Sequence, residues 1–226
     1  MKALTEYETL LRDALTEVTE HPRVQVFSAA PGEVTNEFGD AQQAFSLISI
    51  LHGVTLDPAL QRCFIRFNKL SCHWRFEQDA VKLTGEFNIR HLVSSLGARP
   101  PEQDWGETEF DRQLYSELRV IEDYPGGGSG TFAALRLQPA NPNPEVWYHD
   151  FRQGAFRLDI DYCGYLTALA LTKGISGWQY LFADVSLADE KFAIYANKMS
   201  HMLDVFPDLF PEHDYQPLRD RLEARL

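Results

Sequence analysis

Positive charge is in short supply in this chain. Its 226 residues carry 21 lysines and arginines against 33 aspartates and glutamates, a net charge of −12. Such a balance repels phosphate backbones and anionic lipid surfaces, so neither nucleic acid nor a membrane is an expected partner. A basic protein, by contrast, would be drawn in quickly. Cysteine is sparse too, with three in all: Cys63, Cys72 and Cys163. An odd number at wide spacing makes no disulfide framework, and all three lie among apolar neighbours. Buried, reduced thiols in a cytoplasmic protein are therefore expected. No apolar run reaches the length of a membrane-spanning helix. Residues 1–6 lack the basic start and long apolar core of a secretory signal, so none is expected.

Catalytic signatures are missing as well. The run Gly126-Gly127-Gly128-Ser129-Gly130 has the glycines of a phosphate loop, but no lysine follows and the next residues suit a strand rather than a helix. It reads as a turn. Zinc ligation calls for cysteines, histidines and carboxylates at tight repeated spacing. The seven histidines are scattered from His21 to His213, and Cys72 and His73, adjacent on a strand, point to opposite faces. Gly128-Ser129-Gly130 is no nucleophile elbow, and His149-Asp150 has no evident nucleophile to serve. Acidic pairs such as Asp189-Glu190 suit a solvated surface. No catalytic residue, metal or cofactor is assigned.

Periodic segments are plentiful. Hydrophobic residues form 44% of the chain, enough for a substantial core in a single domain spanning residues 1–226. Residues 3–20 repeat Leu4, Tyr7, Leu11, Leu15 and Val18 at helical steps, with Glu8 on another face, and Pro22 closes the helix. Residues 24–29 suit a strand. Asp40 and Gly53 frame a second helix, and Asp57-Pro58 opens a third that runs to Asn68. From Cys72 the period drops to two, which predicts a strand over 72–77 and an antiparallel return over 81–89. A short helix follows over 89–96. Residues 98–109 form a polar loop, then come a helix over 107–118 and a strand over 118–121. Strands are expected over 131–137, 145–151 and 155–160, and a helix over 161–173. Another helix restarts at Trp178. The last two cover 192–206, with Ile194 and Tyr195 on its apolar side and Pro207 ending it, and 215–226. Strands in the middle with helices at both ends predict an α+β fold: a largely antiparallel sheet with helices packed on it and extra helices at both termini. The core spans roughly 40–183, with a C-terminal helical extension over 189–226.

Two segments resemble the SUKH superfamily, which includes the yeast cell-wall-synthesis regulator and many bacterial immunity proteins. The first joins Leu51-His52-Gly53-Val54, Leu56-Asp57-Pro58-Ala59-Leu60, Phe64, Asn68, Leu70 and Trp74 to Gly85-Glu86-Phe87-Asn88-Ile89 with Leu92. The second is the glycine-rich turn, the strand after it, Pro144-Glu145-Val146-Trp147-Tyr148-His149-Asp150, a short return and the helix over 161–171. Together they cover roughly residues 40–182. The chain departs from the family pattern at Gly128-Ser129-Gly130, where Gly-Asp is frequent, and at Asn68-Lys69, where Asn-Gly is usual. The resemblance implies an antiparallel sheet carrying helices and a binding scaffold without catalytic residues. It also implies a cytoplasmic antidote that binds and neutralises a polymorphic toxin, often a nuclease.

The expected function is thus that of an immunity protein with a basic toxin domain as partner. A regulatory scaffold for an endogenous protein is the alternative, and an enzyme with a scattered site the third reading. Acidic and aromatic residues outside the apolar faces are the expected partner contacts: Asp104, Trp105, Glu107, Glu122, Asp123, Tyr124 and Asp150. Trp105, in a polar loop, is the aromatic expected to be most exposed.

Overall fold

Among the described residues, seven antiparallel strands follow one another across a single sheet in chain order. The computed structural model describes residues 3–101, 106–126 and 130–226. The strands are β1 (Val24–Ala30), β2 (Lys69–Gln78), β3 (Val81–Arg90), β4 (Leu118–Asp123), β5 (Phe132–Arg136), β6 (Glu145–Asp150) and β7 (Gly154–Arg157). The helices are α1 (Glu6–Glu20), α2 (Ala41–His52), α3 (Leu92–Gly97), α4 (Glu109–Glu117), α5 (Tyr162–Thr172), α6 (Ala193–Leu209) and α7 (Gln216–Arg225). The architecture is α+β, as the order of periodic segments predicts. No helix among the described residues is long and apolar enough to cross a membrane.

Alternation sets the sheet's two faces. Leu70, Cys72, Trp74 and Phe76 of β2 are buried, while Lys69, Arg75 and Glu77 are exposed. β3 returns through a tight turn in which Asp79 takes a left-handed φ of 52°, a conformation aspartate tolerates. β5 and β6 are buried on both faces. One side meets the main core. The other meets α4, where Leu114, Tyr115, Phe132, Ala134 and Trp147 form a second apolar cluster. The helix at the centre is α5, buried nearly all round through Tyr162, Cys163, Tyr165, Leu166, Leu169 and Ala170. A helix apolar on every side has to sit inside, and α5 lies among α1, the Pro58–Cys63 turn and β6.

Four local expectations are corrected. The third helix is a single 3₁₀ turn, Pro58–Cys63, capped by Asp57. Phe64, Ile65, Arg66 and Phe67 are all buried, which one helix face could not achieve. They run extended instead, paired through Thr35 N to Arg66 O at 2.9 Å and Asn68 N to Glu33 O at 3.1 Å. The restart at Trp178 is likewise a 3₁₀ turn, Trp178–Leu181. Glu8 lies on the buried face of α1, where its carboxylate meets Arg66 at 2.8 Å (Nε) and 2.5 Å (Nη2). Burial alone would raise the Glu8 pKa, but the bonds from Arg66 and the Thr5 amide outweigh it and lower it. Finally, α6 continues through Pro207 to Leu209, and Ile194 on its first turn is exposed.

The cysteines are corrected as well. Cys63 and Cys163 are joined by a disulfide, with Cα atoms 5.3 Å apart, and only Cys72 is a free thiol. Linear spacing could not reveal a pair 100 residues apart. The bridge staples the Pro58–Cys63 turn to α5. Burial pushes the Cys72 thiol up to about 12, so it stays protonated and inert.

Candidate functional site

Strands β3 and β4 meet at one residue pair, Ile89 with Glu122, and then part. Beyond that pair β3 takes the segment after α5 as its neighbour. The Glu86 amide donates to the Gly174 carbonyl at 2.9 Å, and the Ser176 amide to the Thr84 carbonyl at 3.1 Å. Only glycine suits position 174: its φ is +70°, and a Cβ there would lie 2.4 Å from the Glu86 carbonyl oxygen. β4 ends at Asp123 and leads through Tyr124 towards the glycine run.

The parting opens a cleft of about 510 Å³, within the usual range of ligand pockets. His73, Thr84 and Glu86 line it from β2 and β3, Tyr148 and Asp150 from the end of β6, and Tyr195 from α6. Phe151 and Ile194 are exposed where they border it, and exposed Arg152 and half-buried Lys198 add positive charge. Burial lowers the Lys198 ammonium pKa.

Two carboxylates in this wall differ in how they are bonded. Asp150 is buried and fully engaged: its Oδ2 accepts from the Tyr180 hydroxyl at 2.9 Å and the Tyr195 hydroxyl at 2.7 Å, and its Oδ1 from the Arg152 amide at 2.8 Å. Burial first, then Asp150, pushes the Tyr195 phenol above its ordinary range. Glu86 is 9% exposed, and its Oε1 accepts from the Gly126 amide at 2.6 Å. Its Oε2 is buried without a hydrogen-bond partner among the described residues. His73 stands opposite Glu86 in the strand register. A Cβ on Gly126 would lie 2.6 Å from His73 Nδ1 and 3.0 Å from Glu86 Oε1, so both side chains crowd the start of the glycine run.

Beside the cleft, Glu122 is fully buried and accepts a bond from the Tyr165 hydroxyl. Burial raises its carboxyl to about 8, against the lowering effect of the tyrosine hydroxyls, so it is mostly protonated at neutral pH. The Gln179 amide donates to the Tyr124 hydroxyl. A second cavity of about 400 Å³ lies against α4, lined by Glu107, Phe110, Tyr115, Trp147, His149 and Phe151. Phe151 borders both cavities.

The residues expected from sequence to face a partner do not share one surface. Tyr124 and Asp150 both line the cleft, yet both are buried rather than exposed. Glu122 is sealed inside the protein, because β4 is covered on both faces. Asp123 is half-buried and bonded to Asn88 and Arg90. Glu107 is exposed and borders the second cavity. Asp104 and Trp105 lie outside the described residues. Sequence reasoning missed Glu86, weighed His73 only as a zinc ligand, and favoured core for Tyr148 and Tyr195. Glu86 differs from any surface glutamate only because the sheet parts beside it. Among the described residues, no group of three or more histidines, cysteines and carboxylates could hold a metal ion. No protein-family model matches the chain, and comparison with curated proteins and with solved structures gave no match.

Proposed function

We propose that this chain is a SUKH-type immunity protein that binds and neutralises a basic toxin domain, often a nuclease, without catalysis of its own. The observation that carries the reading is the open cleft at the parting of β3 and β4, lined by carboxylates and tyrosines in a chain of net charge −12. A nuclease is basic where it grips its substrate, and the net negative charge of this chain attracts such a surface, while the cleft itself sets Glu86 and Asp150 beside Arg152 and Lys198. The antiparallel sheet with helices at both ends supports the same reading, since the resemblance implies that architecture. Asp150, held by three donors, suits fixing the shape of the wall rather than exchanging protons. The same cleft would serve a regulatory scaffold. One observation favours an enzyme instead: His73 and Glu86 face the cleft side by side.

In this reading the protein acts in the bacterial cytoplasm. The Cys63–Cys163 bridge is the feature that favours an oxidising compartment. The test is co-expression with the toxin-like product of a neighbouring gene. Rescue of growth together with co-purification of the pair is expected. Undiminished toxicity with no complex overturns the immunity reading, and binding to an endogenous protein in its place favours the scaffold.

A further inference from the structure

We infer that the cleft receives a guanidinium group, an arginine side chain carried by the bound protein, and that Glu86 holds it. The inference rests on the reading of the chain as a protein-binding protein. Its starting point is the Glu86 carboxylate, more than nine-tenths buried, with one oxygen bonded to the Gly126 amide and the other without a donor among the described residues. A buried carboxylate oxygen without a partner is costly, and a cationic donor entering the cleft removes that cost. Asp150 is less available to the ligand, because its oxygens already accept three bonds, most of a carboxylate's acceptor capacity.

The walls select the kind of cation. Phe151, exposed at the rim, is an aromatic side chain on which a planar guanidinium can stack while its fork donates sideways, whereas Tyr148 is buried and the Tyr195 ring already carries the Lys198 ammonium at 5.9 Å. The exposed Thr84 and Ser176 provide further acceptors along the β3 side. A lysine ammonium would reach Glu86 as a point charge and leave most of the recess unfilled. Arg152 and Lys198 also line the cleft and repel any entering cation, so the inserted arginine depends on Glu86 to hold it and the residue next to it should be acidic or neutral.

The probe for a test is N-acetyl-L-arginine methylamide, titrated into the intact chain and followed by backbone amide NMR. Saturable shifts centred on Gly126 are expected, since its amide is bonded to Glu86. Glu86→Gln keeps an acceptor for that amide and should weaken binding about tenfold or more, the usual effect of removing one charged hydrogen-bond partner. Thr84→Lys, at an exposed position, should block the cleft without touching the core. The corresponding lysine probe should bind several-fold more weakly. Absence of saturable shifts, unchanged binding in both variants, or tighter binding of N-acetyl-aspartate methylamide overturns the inference. Tighter binding of free L-arginine overturns the protein-borne source. The two readings fail separately. A chain that binds the probe but no toxin keeps the cleft and loses the immunity function. A Glu86→Gln chain that neutralises toxin undiminished keeps the immunity function and loses the cleft.

Discussion

In the chain Glu122 is one of 33 acidic residues, yet it lies at zero exposure with the Tyr165 hydroxyl against it. Its folded pKa, raised to about 8 by burial, exceeds the ordinary carboxylate value of 4.5. The folded state therefore holds a proton that the unfolded state releases. The stabilisation is complete below about pH 4.5 and is lost as pH rises through 8. Glu122→Gln should remove this loss, flattening the stability curve between pH 5 and 8 by a few kcal/mol in order of magnitude. Urea titrations of both proteins across that range check it, and parallel curves would contradict a protonated Glu122. Glu8 works in the opposite sense. Arg66 lowers its pKa despite burial, so its contribution is present above the ordinary carboxylate range and is lost in acid. Arg66→Met leaves that charge buried without its counter-ion, held only by the backbone amides of residues 5 and 66, and should cost roughly 3–5 kcal/mol in a denaturation midpoint at pH 7.

At the scale of elements, α6 explains how a proline sits inside a helix. Pro207 has no amide to give the Leu203 carbonyl, and the Arg219 guanidinium of α7 donates to that carbonyl instead. The bond ties the last two helices together. Arg219→Met should destabilise the fold by about 1–3 kcal/mol, and the loss should shrink in a Pro207→Ala background, where residue 207 regains its amide. A double-mutant cycle reads the difference, and strict additivity would contradict the exchange. The strands teach a similar lesson. β2 and β3 were legible because alternation is a local signal, and the caps at Asp40 and Gly53 were legible because single residues carry them. The 3₁₀ turn Pro58–Cys63 was not, because the burial of four consecutive residues after it depends on partners at 33–35.

Two of the long-range links that fasten the molecule join segments far apart in the chain. The Cys63–Cys163 bridge spans 100 residues, and a loop that long is worth several kcal/mol in chain entropy, roughly 2–4 in practice. The second link joins the N-terminal helix, the end of α5 and the loop before α7. Buried Lys173 contacts Glu17 at 2.7 Å, and Glu17 accepts from His213 Nε2 at 2.8 Å. Burial lowers the Lys173 pKa while Glu17 raises it, with a net lowering. Thiol titration of the unfolded chain should find one reactive thiol, Cys72, without reductant and three with it. Reduction should lower the denaturation midpoint, and three thiols in unreduced protein would contradict the bridge.

By itself the sequence determined the α+β class, most elements and their caps, since periodicity and capping are written in neighbours a few residues apart. Composition determined the acidic charge that disfavours nucleic acid. The tertiary structure decided which acids are buried, which cysteines join and where the sheet parts. Glu86, Glu122 and Asp150 are alike in sequence, and each takes its chemistry from groups far along the chain: the Gly126 amide, the Tyr165 hydroxyl, and the Tyr180 and Tyr195 hydroxyls. Burial and hydrogen bonding set the chemistry of a carboxylate, and both are properties of the packed chain rather than of its order.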